Sequence, residues 1–188
     1  RLLANSYFIT GAPGVGKSTI FMEIVRNLKN LGCIVGGIYA PEVRVRGLRE
    51  GFQIVDIENN ARGWLARVGA PGRLRIGKYT VVVDDVLKVG VPALEKAIKN
   101  AHVIAIDEIG PMELLVPQLK ESIIKGLTCS KPIVAVIHRK LSSINPEIYD
   151  IILSLGPIVE VTIDNRSILL RQAGKVALSI AREAGCSK

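Results

Sequence analysis

The chain has 188 residues, 48% apolar, 22% charged and only 4% aromatic, which suits one domain over 1–188 with a core of Val, Ile, Leu and Ala, and excludes a disordered or fibrous protein. No apolar run reaches the ~20 residues of a membrane span. The formal charge of +8 suits either a polyphosphate ligand or a polyanionic partner, but no Lys/Arg block and no stacking aromatics accompany it, so nucleic acid is not the favoured partner.

Residues 1–5 lead straight into a strand and lack the apolar centre of a signal peptide. The first strand is 7–10, followed by a helix over 17–31 whose inner face carries Ile20, Ile24, Val25 and Leu28, and a second strand at 33–40. Between Pro41 and Asp85 the pattern changes. Strands at 52–57 and 79–83 with glycine punctuation predict antiparallel hairpins inserted into the main sheet, and 67–77 reads as a loop.

The alternating pattern then resumes: a helix over 91–100, a buried strand at 103–107, a helix over 113–125 with Pro117 in its first turns, and a buried strand at 133–138. A short helix over 146–155, a strand at 158–163 and a helix over 167–184 complete the chain. Buried runs alternating with helices predict an α/β fold with a mostly parallel sheet flanked by helices. Cys33, Cys129 and Cys186 are odd in number, far apart and without metal-ligand spacing. Cys33 and Cys129 read as core or near-core thiols, which suits a reducing, cytoplasmic setting. The oligomeric state stays open, with a monomer as the expectation.

The sharpest chemical signal is Gly11-Ala12-Pro13-Gly14-Val15-Gly16-Lys17-Ser18, followed by Thr19. This is the P-loop (Walker A) pattern. Its glycines let successive backbone N–H groups turn inward onto phosphate, and the helix that begins there adds the positive end of its dipole. Lys17 reaches the β- and γ-phosphates, and the Ser18 hydroxyl suits Mg²⁺. The strand at 103–107 ends in Asp107-Glu108, where ligands sit in doubly wound sheets. Asp107 suits the outer sphere of Mg²⁺, and Glu108 suits orienting and deprotonating an attacking water. Gly110 completes a D-x-x-G pattern, whose glycine N–H meets a γ-phosphate, although no N-K-x-D guanine reader is present. Asp84-Asp85 is a rival acidic pair, read here as turn residues.

Gly11–Ser18, Pro41-Glu-Val-Arg44, Gly47–Phe52, Ile76–Tyr79, Ile106–Glu113, Ile137-His138 and Asn165-Arg166 follow one another in an order that resembles the THEP1 family of nucleoside triphosphatases. The resemblance covers about 10–168. It implies hydrolysis of the terminal phosphate of ATP, GTP, CTP, UTP or TTP with little base preference, on a P-loop NTPase of RecA-like arrangement with another strand between the P-loop strand and the 103–107 strand. Within that arrangement the strand at 133–138 would bring His138 to the γ-phosphate, as a sensor or a donor to the attacking water; a structural histidine is the alternative. Arg44 and Arg49 sit on an expected hairpin that could fold over the phosphates as transition-state cations, with surface arginines as the alternative, and Arg166 could stack on or bond to a base, with a helix cap at Asp164 or Asn165 as the other reading. A small-molecule or nucleoside kinase on the same cradle is the runner-up. A nucleotide-timed RNA-binding module is a third reading.

Overall fold

In the computed structural model, which describes residues 6–187, the run Val103-Ile104-Ala105-Ile106 sends its side chains alternately to two separate clusters. That alternation is the period-2 geometry of a strand, and burial on both faces follows from helices packed above and below. Ile104 and Ile106 join one layer with Leu94, Ala97, Leu119, Ile123, Ile148 and Ile152. Val103 and Ala105 join the other with Ile20, Phe21, Ile24, Leu28, Ala173 and Ala177.

The described residues form one ten-stranded sheet. Its strands are β1 (Tyr7–Gly11), β2 (Val35–Tyr39), β3 (Glu42–Val45), β4 (Leu48–Asp56), β5 (Arg62–Val68), β6 (Arg75–Ile76), β7 (Tyr79–Val81), β8 (Val103–Ile109), β9 (Ile133–Ile137) and β10 (Ile158–Val161). The order is β10-β1-β9-β8-β2-β4-β5-β7-β6, with β3 paired to β4. Pairings from β10 to β2 are parallel, and every pairing from β4 outward is antiparallel. Strand β9 lies between β1 and β8, as the resemblance implied, and the antiparallel hairpins extend the sheet beyond β2.

Helices α1 (Lys17–Asn30) and α8 (Arg166–Ala184) cover one face; α3 (Val91–Asn100), α5 (Pro117–Thr128) and α7 (Pro146–Leu155) cover the other. Short helices α2 (Val83–Asp85), α4 (Pro111–Leu114) and α6 (Leu141–Ile144) occupy connections, and a π turn over Val86–Gly90 joins α2 to α3.

Several expectations are corrected. The single helix over 113–125 is two, because Pro117 starts α5 at a position where its missing N–H is not needed. The loop over 67–77 contains the end of β5 and all of β6, and the Asp84-Asp85 pair lies in a helical turn, where Asp85 Oδ2 accepts the Trp64 N–H at 2.7 Å. Cys33 is not a thiol. It is disulfide-bonded to Cys186 across 153 residues, which removes the cysteine argument for a reducing setting, while Cys129 is free and half-buried. The expected strand entry at 1–5 lies outside the described residues. Among those described, no helix is long and apolar enough to cross a membrane.

Candidate active site

Strands β1, β8, β9 and β10 run parallel, so their carboxyl ends meet at one edge of the sheet, the general location of ligands in such folds. From β1 the chain turns through Gly11 to Gly16 into α1. The turn demands glycine: Gly14 and Gly16 have φ of 76° and 107°, and a Cβ on Gly11 would stand 2.6 Å from the Val161 carbonyl oxygen. Ala12 and Pro13 are exposed, whereas Val15 is buried in the α1–α8 layer and offers a ligand only its backbone. Helix α1 has no side-chain cap and no acid in its first turn, so its leading N–H groups present an uncompensated positive end to an anion. Lys17 Nζ donates to the Gly11 carbonyl at 2.7 Å, which folds the lysine back over the cradle.

Ser18 Oγ donates to Asp107 Oδ2 at 2.7 Å, joining the cradle to the end of β8. Burial holds the Asp107 carboxyl above its ordinary range, opposed by the Ser18 bond and the Lys17 charge. At the next residue the β8–β9 ladder slips: Asp107 pairs with Val136 and Ile109 with Ile137. Glu108 is therefore left out of register, a bulge of the kind that re-aims a side chain. Its carboxylate turns over Gly110, where an added Cβ would meet Oε1 at 2.7 Å. The glycine expected to meet a γ-phosphate thus also makes room for Glu108. Burial, with repulsion from Asp107 and against the pull of Lys17, pushes the Glu108 carboxyl up to about 7.

His138 continues β9, its N–H bonded to the Ile109 carbonyl at 3.0 Å. Its Nδ1 accepts the Lys140 N–H at 3.1 Å, which leaves Nε2 as the protonated donor nitrogen of a neutral ring. Burial, then Lys17, Arg139 and Lys140, push its pKa down and keep that ring neutral. Hence His138 is built as a donor rather than a base.

Asp107, Glu108 and His138 open, with Ser18, into a cleft of about 610 Å³ whose far wall is Tyr39, Pro41, Glu42, Phe52, Leu65, Ile76 and Met112. Glu113 also lines the cleft and is only 5% exposed. Its carboxyl is pushed well above the ordinary range by burial, then by Glu108 and Asp107. Sequence reasoning gave Glu113 no role, although it stands in the Ile106–Glu113 run; Phe52 and Met112 carried no chemical signal at all.

Arg44 and Arg49 are not brought onto the cradle. Both pair with Glu42, Arg44 along β3 and Arg49 across the β3–β4 hairpin at 2.9 Å, and neither lines the cleft. Arg166 does reach the P-loop, lining a smaller cleft of about 260 Å³ with Gly16, Thr19, Ile20, Ser167 and Leu170. Asn165 is committed elsewhere: its side chain accepts the Thr162 N–H and donates to the Glu160 carbonyl, both at 2.8 Å, holding the β10–α8 turn without capping α8. Among the described residues no three His, Cys, Asp or Glu side chains are grouped to hold a metal by themselves.

The family described as NTPase matches residues 6–173. The chain is 48% identical over 142 residues to the nucleoside-triphosphatase THEP1 of Saccharolobus solfataricus, covering 76% of this chain and 81% of that protein. It is 39% identical over 184 residues to the THEP1 of Thermofilum pendens, covering 96% and 100%. The crystal structure of THEP1 from the hyperthermophile Aquifex aeolicus superposes with a TM-score of 0.75 at 30% identity, covering 89% of this chain and 95% of the other.

Proposed function

The chain belongs to the NTPase family of THEP1 nucleoside triphosphatases, and from that premise we propose that it hydrolyses the terminal phosphate of ATP, GTP, CTP, UTP and TTP in a Mg²⁺-dependent reaction with little regard to the base. The observation that carries the reading is the 2.7 Å hydrogen bond from Ser18 to Asp107. It sets one hydroxyl and one carboxylate, both hard oxygen donors, side by side at the phosphate cradle. Mg²⁺ takes such a pair together with waters and substrate phosphates rather than an all-protein cage. When bound it supplies neutralisation of charge on the β- and γ-phosphate oxygens.

The remaining work falls to the chain itself. Backbone N–H groups from Gly14 to Thr19 hold the phosphates, and Lys17 exchanges its bond to the Gly11 carbonyl for the β- and γ-oxygens. Ionised Glu108 accepts the proton of the attacking water, since the bulge turns it away from the ladder and toward the cleft. Neutral His138 donates from Nε2 to a γ-phosphate oxygen. The base lies against Arg166 in the smaller cleft, where stacking is indifferent to base identity. Arg44 and Arg49, engaged by Glu42, are left out of the phosphate-binding set. The carboxylate directly after Asp107 favours water as the acceptor.

Phosphate release with each of the five triphosphates, with and without Mg²⁺, tests the proposal. Rates within about a hundredfold in kcat/KM and dependence on the cation are expected; a larger preference requires a buried donor–acceptor set that rejects the wrong base.

A further inference from the structure

Eight Lys and Arg against four Asp and Glu lie between Glu42 and Thr80, which is half of the net charge of +8. Along the chain these cations are too scattered to form a block, but the antiparallel extension gathers three of them on one face. Strands β4 and β5 are covered on one side, by α2, the π turn and α4, whose Val83, Val86 and Met112 share a layer with Leu65 and Ala66. Helices α1 and α8 pack instead on β1, β2, β8 and β9. Among the described residues, the opposite face of β5 is therefore left without a helical layer.

A register slip decides what that face presents. Phe52 pairs with Ala66, but Gln53 pairs with Trp64, so Leu65 is the extra residue of a bulge. Leu65 and Ala66 both turn into the core layer, and Arg62, Trp64 and Arg67 share the outer face. The Arg67 guanidinium lies over the Trp64 ring, 4.7 Å from its centroid. Arg62 donates at 3.2 Å to the side chain of Gln53, the direct partner of Trp64. Thr80 stands opposite both Arg67 and Arg75, which puts Arg75 on the same face. Trp64, the only tryptophan, belongs to neither core layer. Glu50 holds Arg67 at 2.9 Å, while among the described residues no carboxylate pairs with the exposed Arg62 or Arg75.

An indole flanked by guanidinium forks has the parts of a single-strand site: a π face on which any base stacks, and planar donors that match phosphate oxygens. A duplex keeps its bases stacked on one another, and an acidic peptide brings the charge without a base. We propose that this face binds a single-stranded polynucleotide, with a base stacked at Trp64 and phosphates held by Arg62, Arg67 and Arg75. The hydrolytic cleft is lined by Phe52 and Leu65 from the other face of the same two strands. The polynucleotide site is thus separate from the phosphate cradle and does not depend on what the cradle hydrolyses.

Because Trp64 is the only tryptophan, its fluorescence reads this face directly. Oligouridylate and oligodeoxythymidylate of about 12 nucleotides, within the site sizes of single-strand binders, are titrated with and without Mg²⁺ and ADP. Duplex DNA of the same length and polyglutamate are the controls. Saturable quenching by at least one single strand, unaffected by ADP and at least about tenfold tighter than with duplex or polyglutamate, is expected; the tighter strand identifies the preferred sugar. Three phosphate contacts give a slope of about −2 in log affinity against log salt, or roughly a 20-fold loss between about 50 and 200 mM. Replacing both exposed arginines, Arg62→Gln with Arg75→Gln, should flatten that slope by about 1.4 and leave phosphate release from ATP within about twofold. Trp64→Ala, followed by anisotropy of a labelled strand, should weaken binding by about 5- to 100-fold, and Trp64→Phe should restore part of it. Fluorescence unmoved by either strand at low salt, an equal response to duplex or polyglutamate, displacement of the strand by ADP, or an unchanged slope in the double arginine variant would overturn the proposal.

Discussion

Replacing Glu108 by Gln should slow the enzyme and stabilise the protein, and the two effects should separate with pH. The carboxyl is buried beside Asp107, and its ordinary value of 4.5 is pushed up to about 7. The folded state therefore favours the neutral acid. Its stability contribution is fully present below about 4.5 and is lost as pH rises through about 7. A bias of that size corresponds to at most about 3 kcal/mol, and sharing of charge with Asp107 brings the expected gain to roughly 1–3 kcal/mol at pH 8.5. For a chain of this length the gain should raise Tm by about 3–8 °C at pH 8.5, measured with chelator and without nucleotide, and by almost nothing at pH 4.5. Gln keeps the shape but accepts no proton, so single-turnover hydrolysis should fall by ~10²–10⁴, about 3–5 kcal/mol of barrier. Nucleotide affinity should change little, because Lys17, Ser18 and the backbone hold the phosphates. Hydrolysis within about threefold of the parent, below any general-base effect, would refute the assignment of the base. A Tm gain equal at both pH values would refute the account of its burial.

Gly110→Ala should act through the same carboxylate: the new Cβ stands 2.7 Å from Glu108 Oε1, so single-turnover hydrolysis should drop by roughly 10–10² while nucleotide affinity, read by titration, is kept. Lys17→Ala should abolish detectable triphosphate binding in calorimetry with an unchanged circular dichroism spectrum, since Lys17 bonds the cradle and not the core. Cys186→Ser opens a loop of 153 residues and should lower unfolding free energy by up to about 5 kcal/mol in denaturant titration, an effect reproduced by reductant in the parent and absent from the variant.

The P-loop and the Asp107-Glu108 pair were legible because each depends on residues adjacent in sequence. The strand order that puts β9 between β1 and β8 was legible only through the family resemblance. What escaped depends on distance or on irregularity. Cys33 and Cys186 carry no signal of their pairing across 153 residues. Strand β5 hides because the β4–β5 register slips between Phe52 and Gln53, and a slip of one residue breaks the alternation by which strands are read. The inner end of the cleft was legible through Ser18, Asp107, Glu108 and His138, but its outer wall escaped: Met22 comes from α1, Tyr39 from β2, Phe52 from β4 and Met112 from α4, and no local pattern announces residues that meet only after folding.

The burial of Val15 has a kinetic consequence. Its side chain is anchored among Ile9, Ile20 and Val161, with the Val15 Cγ2 atom 3.1 Å from where a Gly11 Cβ would stand. The middle of the phosphate loop thus has a foot in the core before any anion arrives. A nucleotide meets a finished receptor and has no chain to order, so association is governed by encounter and orientation, and the entropy of loop closure has already been spent in folding. Differences in affinity among nucleotides should then appear in how fast each one leaves.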